Sequence, residues 1–226
     1  MDPLKLIVKL LDAGADSDGR AKTNLWHRTA FDTTWLEKDG ATAFLRAAQA
    51  GDTTLMKLLV EYGADPNIST RRNTTPLMAA AGIGWVDGIT DETSPEENIE
   101  AMKLCLQWGA KVNAVNDDGR SALHGAAHKG RNAAVQLLVD RGATLDLKDK
   151  GNRDTRPGSL LAGVGWTPLD FAGRDGAGWH RRPEVAAREL HRRIGPPGRV
   201  PRQSLPMDAD GGHRRWPRRG PRADGG

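Results

Sequence analysis

Two small markers recur along this chain at separations that only a tandem repeat explains. One is an apolar helix start of the Thr-Pro-Leu kind, at Thr42, Thr75, Ser121 and Thr167; the other is a Gly-Ala pair, at Gly14, Gly63, Gly109 and Gly142. Marker to Gly-Ala takes 21 residues from Thr42 to Gly63 and again from Ser121 to Gly142. Gly-Ala to the next marker takes 12 residues from Gly63 to Thr75 and again from Gly109 to Ser121. Together they make a unit of 33 residues. A unit this short cannot cover its own apolar face, so neighbours must stack and share one core.

Three intervals are too long, and by amounts that locate the extra residues. Gly14 to Thr42 exceeds the standard interval by 16 residues, Gly142 to Thr167 by 13 and Thr75 to Gly109 by 13. The first two excesses fall between a Gly-Ala pair and the next marker, and the third between a marker and its own Gly-Ala. Lengthened loops leave a stack intact, because closing a longer loop costs little extra entropy.

Residues 118–148, reading DGRSALHGAAHKGRNAAVQLLVDRGATLDLK, carry the fullest version of the unit. Gly119, Ala122-Leu123-His124, Ala126-Ala127, Gly130, the apolar run 135–139 and Gly142-Ala143 follow one another in the order of an ankyrin repeat. The chain therefore resembles the ankyrin-repeat family, and its inserted loops resemble those of bacterial members. Ser121-Ala122 stands where Thr-Pro is usual, and Thr144 where Asp is usual. The resemblance implies an all-α solenoid of helix-turn-helix units with hairpin fingers. It assigns 1–195 to the array, as a partial repeat over 1–16 and repeats over about 39–69, 72–115, 118–148 and 164–195.

Met1 to Asp16 reads as the second helix of a unit, with Leu4, Ile7, Val8 and Leu11 along one face. That face is expected to be exposed, and the apolar run is too short and too interrupted by Lys5 and Lys9 to cross a membrane. Ser17 to Asp39 forms a long finger containing Trp26, Phe31, Trp35 and Leu36. The insertion 82–100 holds Trp85 and six acids; Ser94-Pro95-Glu96-Glu97 within it reads as a helix start with its acids in the first turn. Pro183 to Ile194 reads as a closing helix with arginines outward.

The net charge of +4 belongs to 196–226, which holds seven Arg against three Asp; the array itself is neutral. That Pro-, Gly- and Arg-rich tail carries too little apolar side chain to order itself. Its arginines could meet the phosphates of a nucleic acid without sequence preference, which is the alternative function the sequence offers. The single Cys105 lies between Leu104 and Leu106 and reads as a buried apolar residue, so no disulfide and no oxidising compartment are called for and a cytoplasmic chain is expected.

Catalytic patterns are missing. His124 and His128 lie four apart on one helix, the spacing at which two imidazoles can share a metal ion in a hydrolase, but Gly125 stands where the zinc-protease pattern needs Glu. In ankyrin proteins the histidine at the place of His124 ties neighbouring fingers by hydrogen bonding, and the resemblance implies that role here. No cofactor, metal or small-molecule substrate is called for.

The function implied is a non-catalytic scaffold that binds another protein on the concave face formed by finger tips and first helices. The chain is expected to be a monomer unless its apolar N-terminal face pairs. Carrying over the family's variable surface slots gives Lys38, Asp39, Gln49, Arg71, Arg72, Thr74, Asp117, Asp118, Arg120, His128, Lys129, Trp166 and Arg174 as partner-binding residues.

Overall fold

A computed structural model of the chain describes residues 2–22, 39–85, 94–151 and 165–172. The chain divides after Pro196 into two units, and the second lies outside the described residues. Every regular element among the described residues is a helix: α1 (Pro3–Asp12), α2 (Ala43–Gln49), α3 (Thr53–Glu61), α4 (Pro76–Ala81), α5 (Pro95–Gln107), α6 (Ala122–His128), α7 (Asn132–Asp140) and α8 (Pro168–Ala172).

The recurring markers are helix punctuation. Thr42 Oγ1 accepts the Leu45 amide at 3.2 Å and Thr75 Oγ1 the Met78 amide at 3.3 Å, so each hydroxyl satisfies a donor that the first turn leaves without a partner. Pro76 follows at a position where the missing N–H costs nothing. Gly63, Gly109 and Gly142 end the second helices with φ of 86°, 90° and 83°, a left-handed conformation that a side chain would disfavour.

The inner helices stack in the order α2, α4, α6, α8, and the outer helices in the order α3, α5, α7; α2 with α3, α4 with α5 and α6 with α7 close each unit. One continuous core runs through α2 to α7, with Phe44, Met56, Leu59, Leu77, Met78, Met102, Leu123 and Leu138 all buried. Each such side chain contributes about 1.5–3 kcal/mol on leaving water. Cys105 is part of this core. The Ala-rich inner helices let backbones approach, most closely at Gly125, where an added Cβ would stand 2.7 Å from the Ile83 nitrogen.

The insertion between α4 and α5 is partly helical. α5 has 13 residues where α3 and α7 have 9, and the added turn begins at Ser94-Pro95. Ser94 and Glu97 form a reciprocal cap: the Ser94 amide donates to Glu97 Oε2 at 3.0 Å and the Glu97 amide to Ser94 Oγ at 3.1 Å. The same turn buries Asn98, whose Oδ1 accepts Lys129 Nζ at 3.0 Å and so ties α5 to the end of α6.

α1 differs from the expectation in which of its residues face outward. Leu4, Ile7, Val8 and Leu11 are half-buried, whereas Leu6 and Leu10 are 46% and 52% exposed. By repeat register Leu6 and Leu10 match Leu55 and Leu59 of α3, and Leu59 is buried under the inner helix of its own unit. No described residue covers Leu6 and Leu10 in that way. Among the described residues no helix is long and apolar enough to cross a membrane.

Candidate partner-binding face

Each finger is built on the same five positions, and one set of hydrogen bonds defines them. The first position (Ala21, Thr70, Asn116, Asp149) donates its amide to the carbonyl of the fifth (Ala41, Thr74, Arg120, Trp166) at 2.9–3.0 Å in all four fingers. The fourth position (Gly40, Asn73, Gly119, Gly165) donates back to the carbonyl of the first at 2.8–3.0 Å. All four residues there have positive φ, from 60° to 80°, which explains three glycines and one asparagine. In three fingers the first side chain also accepts the fifth amide: Thr70 Oγ1 from Thr74 at 3.1 Å, Asn116 Oδ1 from Arg120 at 2.9 Å, and Asp149 Oδ1 from Trp166 at 2.9 Å.

These bonds show where the long insertions enter. Between Ala21 and Asp39, the first and third positions of the first finger, stand the second position and the 16 extra residues; in the last finger the 13 extra residues follow Lys150. Counted forward from the first position, the second is Lys22, Arg71, Asp117 and Lys150. Counted back from Gly40 it is Lys38, on the other side of the 16 extra residues. Lys38 itself lies outside the described residues, as do Arg174, the aromatics at 26, 31 and 35 with Leu36, the helix expected at 183–194 and the tail.

Adjacent fingers are joined at equivalent atoms. The amides of Arg71, Asp117 and Lys150 donate to the carbonyls of Asp39, Arg72 and Asp118, at 3.0, 3.0 and 2.7 Å. Their side chains reach back over the preceding fourth position. A Cβ on Gly40 would meet Arg71 Cγ at 3.0 Å, a Cβ on Gly119 would meet Lys150 Cγ at 3.1 Å, and Asp117 Oδ1 accepts Asn73 Nδ2 at 2.7 Å. The second-position side chains thus lie in a file across the fingers.

The expected binding residues divide by burial. Arg71 and Asp117 are exposed. Asp39, Gln49, Arg72, His128, Lys129 and Trp166 are half-buried: Asp39 pairs with Arg71 at 3.2 Å, Arg72 pairs with Asp118, and Gln49 accepts Arg46 Nη1 at 2.7 Å. Thr74, Asp118 and Arg120 are buried at 1%, 4% and 1% exposure and do not belong to the surface. Thr74 and Arg120 occupy the fifth position, which points into the stack; Thr74 Oγ1 accepts Asn116 Nδ2 at 3.3 Å, and Arg120 bonds Asp149 in the same register one finger later.

Beside the inner helices an aromatic file links three units. Trp85 meets the His128 ring edge to face at 5.7 Å, and His128 meets Phe171 at 6.2 Å. Lys129 Nζ lies 5.8 Å from the Trp85 ring centroid. His128 is therefore a packed residue.

His124 is fully buried and both its ring nitrogens are committed. Nδ1 accepts the Ser121 amide at 3.0 Å, which requires the neutral ring with its proton on Nε2, and Nε2 then donates to the Trp166 carbonyl at 3.2 Å. Burial lowers its pKa below the ordinary value, against the raising effects of the Trp166 carbonyl and Asp149. The hydrogen bond to Trp166 is the inter-finger tie implied by the resemblance. A metal on either ring nitrogen of His124 would have to displace one of these two hydrogen bonds, and among the described residues no three His, Cys, Asp or Glu side chains are grouped to hold an ion.

Comparison with known proteins agrees with this architecture. Residues 39–71 match the family model described as Ankyrin repeat, and residues 94–139 the one described as Ankyrin repeats (many copies). The chain is 26% identical over 183 residues to human SH3 and multiple ankyrin repeat domains protein 2, covering 72% of this chain and 9% of that protein. It is 32% identical over 111 residues to a putative ankyrin repeat protein of Rickettsia bellii, covering 49% of this chain and 30% of the relative. Human ankyrin repeat domain-containing protein 63 is 34% identical over 102 residues, covering 44% of this chain and 24% of its own length. The chain spans less than a third of each of these relatives, which come from both animals and a bacterium.

Proposed function

Because this chain is an ankyrin-repeat protein, we propose that it is a non-catalytic scaffold whose finger tips and inner helices together bind another protein. Ankyrin repeats in general mediate protein–protein interaction; the choice of face is our own reading. What supports it is the finger ladder, in which one backbone pattern fixes Arg71, Asp117 and Lys150 in register over the preceding finger. Side chains held by a frame already ordered lose little conformational freedom when a partner arrives. The residues we assign to the face are Asp39, Gln49, Arg71, Arg72, Asp117, His128, Lys129 and Trp166. A reducing compartment such as the cytoplasm suits a chain whose one thiol is buried and unpaired with any other.

A photo-crosslinking amino acid tests the choice of face. Placed at Gln49 or Asp117 it should give adducts with a partner protein in cells. Placed at Lys57 of α3 or Lys103 of α5, both exposed on outer helices, it should not. Adducts from the outer-helix positions alone would refute the proposal.

A further inference from the structure

The second finger position carries Lys22, Arg71, Asp117 and Lys150, all exposed. One place before the first position, and two before the second, stand Arg20, Ser69, Val115 and Lys148. Arg20, Val115 and Lys148 are exposed too, Val115 to 43%. The tips therefore present five cations, with one carboxylate and one apolar side chain together on the third finger. Of the other acids nearby, Asp39 is turned to Arg71 and Asp118 to Arg72, while Asp146 is exposed two residues before Lys148. Arg71 remains 63% exposed beside Asp39, and Arg20 donates to a neutral acceptor, the Ser69 carbonyl at 2.9 Å. Lys22, Lys148 and Lys150 make no ion pair among the described residues.

We propose that this finger-tip file takes an acidic, extended segment of a protein partner, with carboxylates against the cations of the outer fingers and an apolar side chain against Val115. The inference rests on the interaction function proposed above and names the chemistry of the partner. Attraction comes from the cations, whose aliphatic stems are held in place over Gly40 and Gly119 in the cases of Arg71 and Lys150. Register comes from the centre. Asp117 repels an acid there, and Val115 offers contact to an apolar residue instead. A nucleic-acid backbone, with a charge at every step and no apolar side chain, fits that centre less well.

The test uses the full chain and a fluorescent peptide of about ten residues, Glu-rich with one central Leu, long enough at about 3.3 Å per residue to cross several fingers. Changing Lys22, Arg71 and Lys150 to Gln removes three charges from exposed positions. A control changes Lys57, Lys111 and Arg141 to Gln, which removes the same charge from exposed positions off the finger tips. The tip variant should bind about tenfold more weakly or worse at low salt, and the control should keep its affinity. Equal losses, or no loss in the tip variant, would overturn the proposal. So would single-stranded DNA binding more tightly than the peptide and depending on the same three residues. The crosslinking result at Gln49 stands apart from all of these outcomes. Adducts there with no peptide binding would refute the acidic segment alone.

Discussion

Arg120 donates through Nε and Nη2 to Asp149 Oδ2, both at 3.3 Å, and the two side chains are each 1% exposed. The Arg120 guanidinium also lies 5.6 Å from the centroid of Phe171. Asp149 is the first residue of the last finger, and its other oxygen holds the Trp166 amide across the 13-residue insertion. A charged residue thus does between the third and fourth fingers what Thr74 and Asn116 do, uncharged, between the second and third.

Removing one member of a buried pair leaves the other without compensation, which costs about 3–5 kcal/mol. Asp149→Asn keeps an oxygen for the Trp166 amide but leaves Arg120 buried and charged. It should lower the stability measured by urea unfolding by about that amount, and adding Arg120→Met should restore most of the loss. A loss below about 0.5 kcal/mol, the size of an ordinary surface change, would show that the pair contributes nothing special.

Gly125 supplies the second prediction because two effects of an added methyl oppose each other. Alanine in a helix interior gains about 1 kcal/mol over glycine. Here its Cβ would stand 2.7 Å from the Ile83 nitrogen and 3.0 Å from the Gly82 carbonyl carbon, both backbone atoms that cannot rotate aside. Overpacking of this kind costs about 1–3 kcal/mol, so Gly125→Ala should reduce the melting temperature. An unchanged or higher melting temperature would mean that α4 and α6 separate at little cost.

The sequence already contains much of this arrangement. The helix starts at Thr42 and Thr75, the left-handed stop at Gly63 and the burial of Cys105 follow from local chemistry, and each is legible without a structure. The finger tips were harder to read. Lys22 and Lys150 directly follow the first positions of their fingers, and contiguous counting back from Gly40 and Gly165 passes over them. The tip cations become visible once the finger hydrogen bonds mark Ala21 and Asp149 as first positions. The burial of Arg120 was hidden for another reason. Its partner Asp149 lies 29 residues away in sequence, and nothing local separates an arginine that reaches into the stack from one that reaches out.

Cys105 yields a chemical readout of the same core. Burial pushes its thiol pKa up to about 12, so the reactive thiolate is scarce at ordinary pH. Iodoacetamide at pH 8 should leave the folded chain unmodified for as long as α5 stays docked, and labelling should follow the urea unfolding curve. Rapid labelling in native buffer would mean that α5 opens locally, well below global unfolding.

His124 makes the joint between the third and fourth units sensitive to acid. Its neutral ring accepts the Ser121 amide and donates to the Trp166 carbonyl, so a second proton on Nδ1 would turn one hydrogen bond into a clash of donors. The charged groups facing it are Arg120, which disfavours that proton, and Asp149, which favours it; burial is the largest influence and keeps the folded pKa low. The unfolded chain, with an ordinary histidine near pH 6.5, binds the proton first. The contribution is therefore complete above about pH 6.5 and is lost as the pH falls from there toward the folded pKa. Urea unfolding of the native chain should show stability declining with acid through this window, and His124→Leu should be less stable at pH 7 but flatter against pH. An imidazole resonance of His124 that titrates at or above pH 6.5 in the folded chain would contradict the assignment, since the hydrogen bond from Ser121 could not then hold the ring neutral.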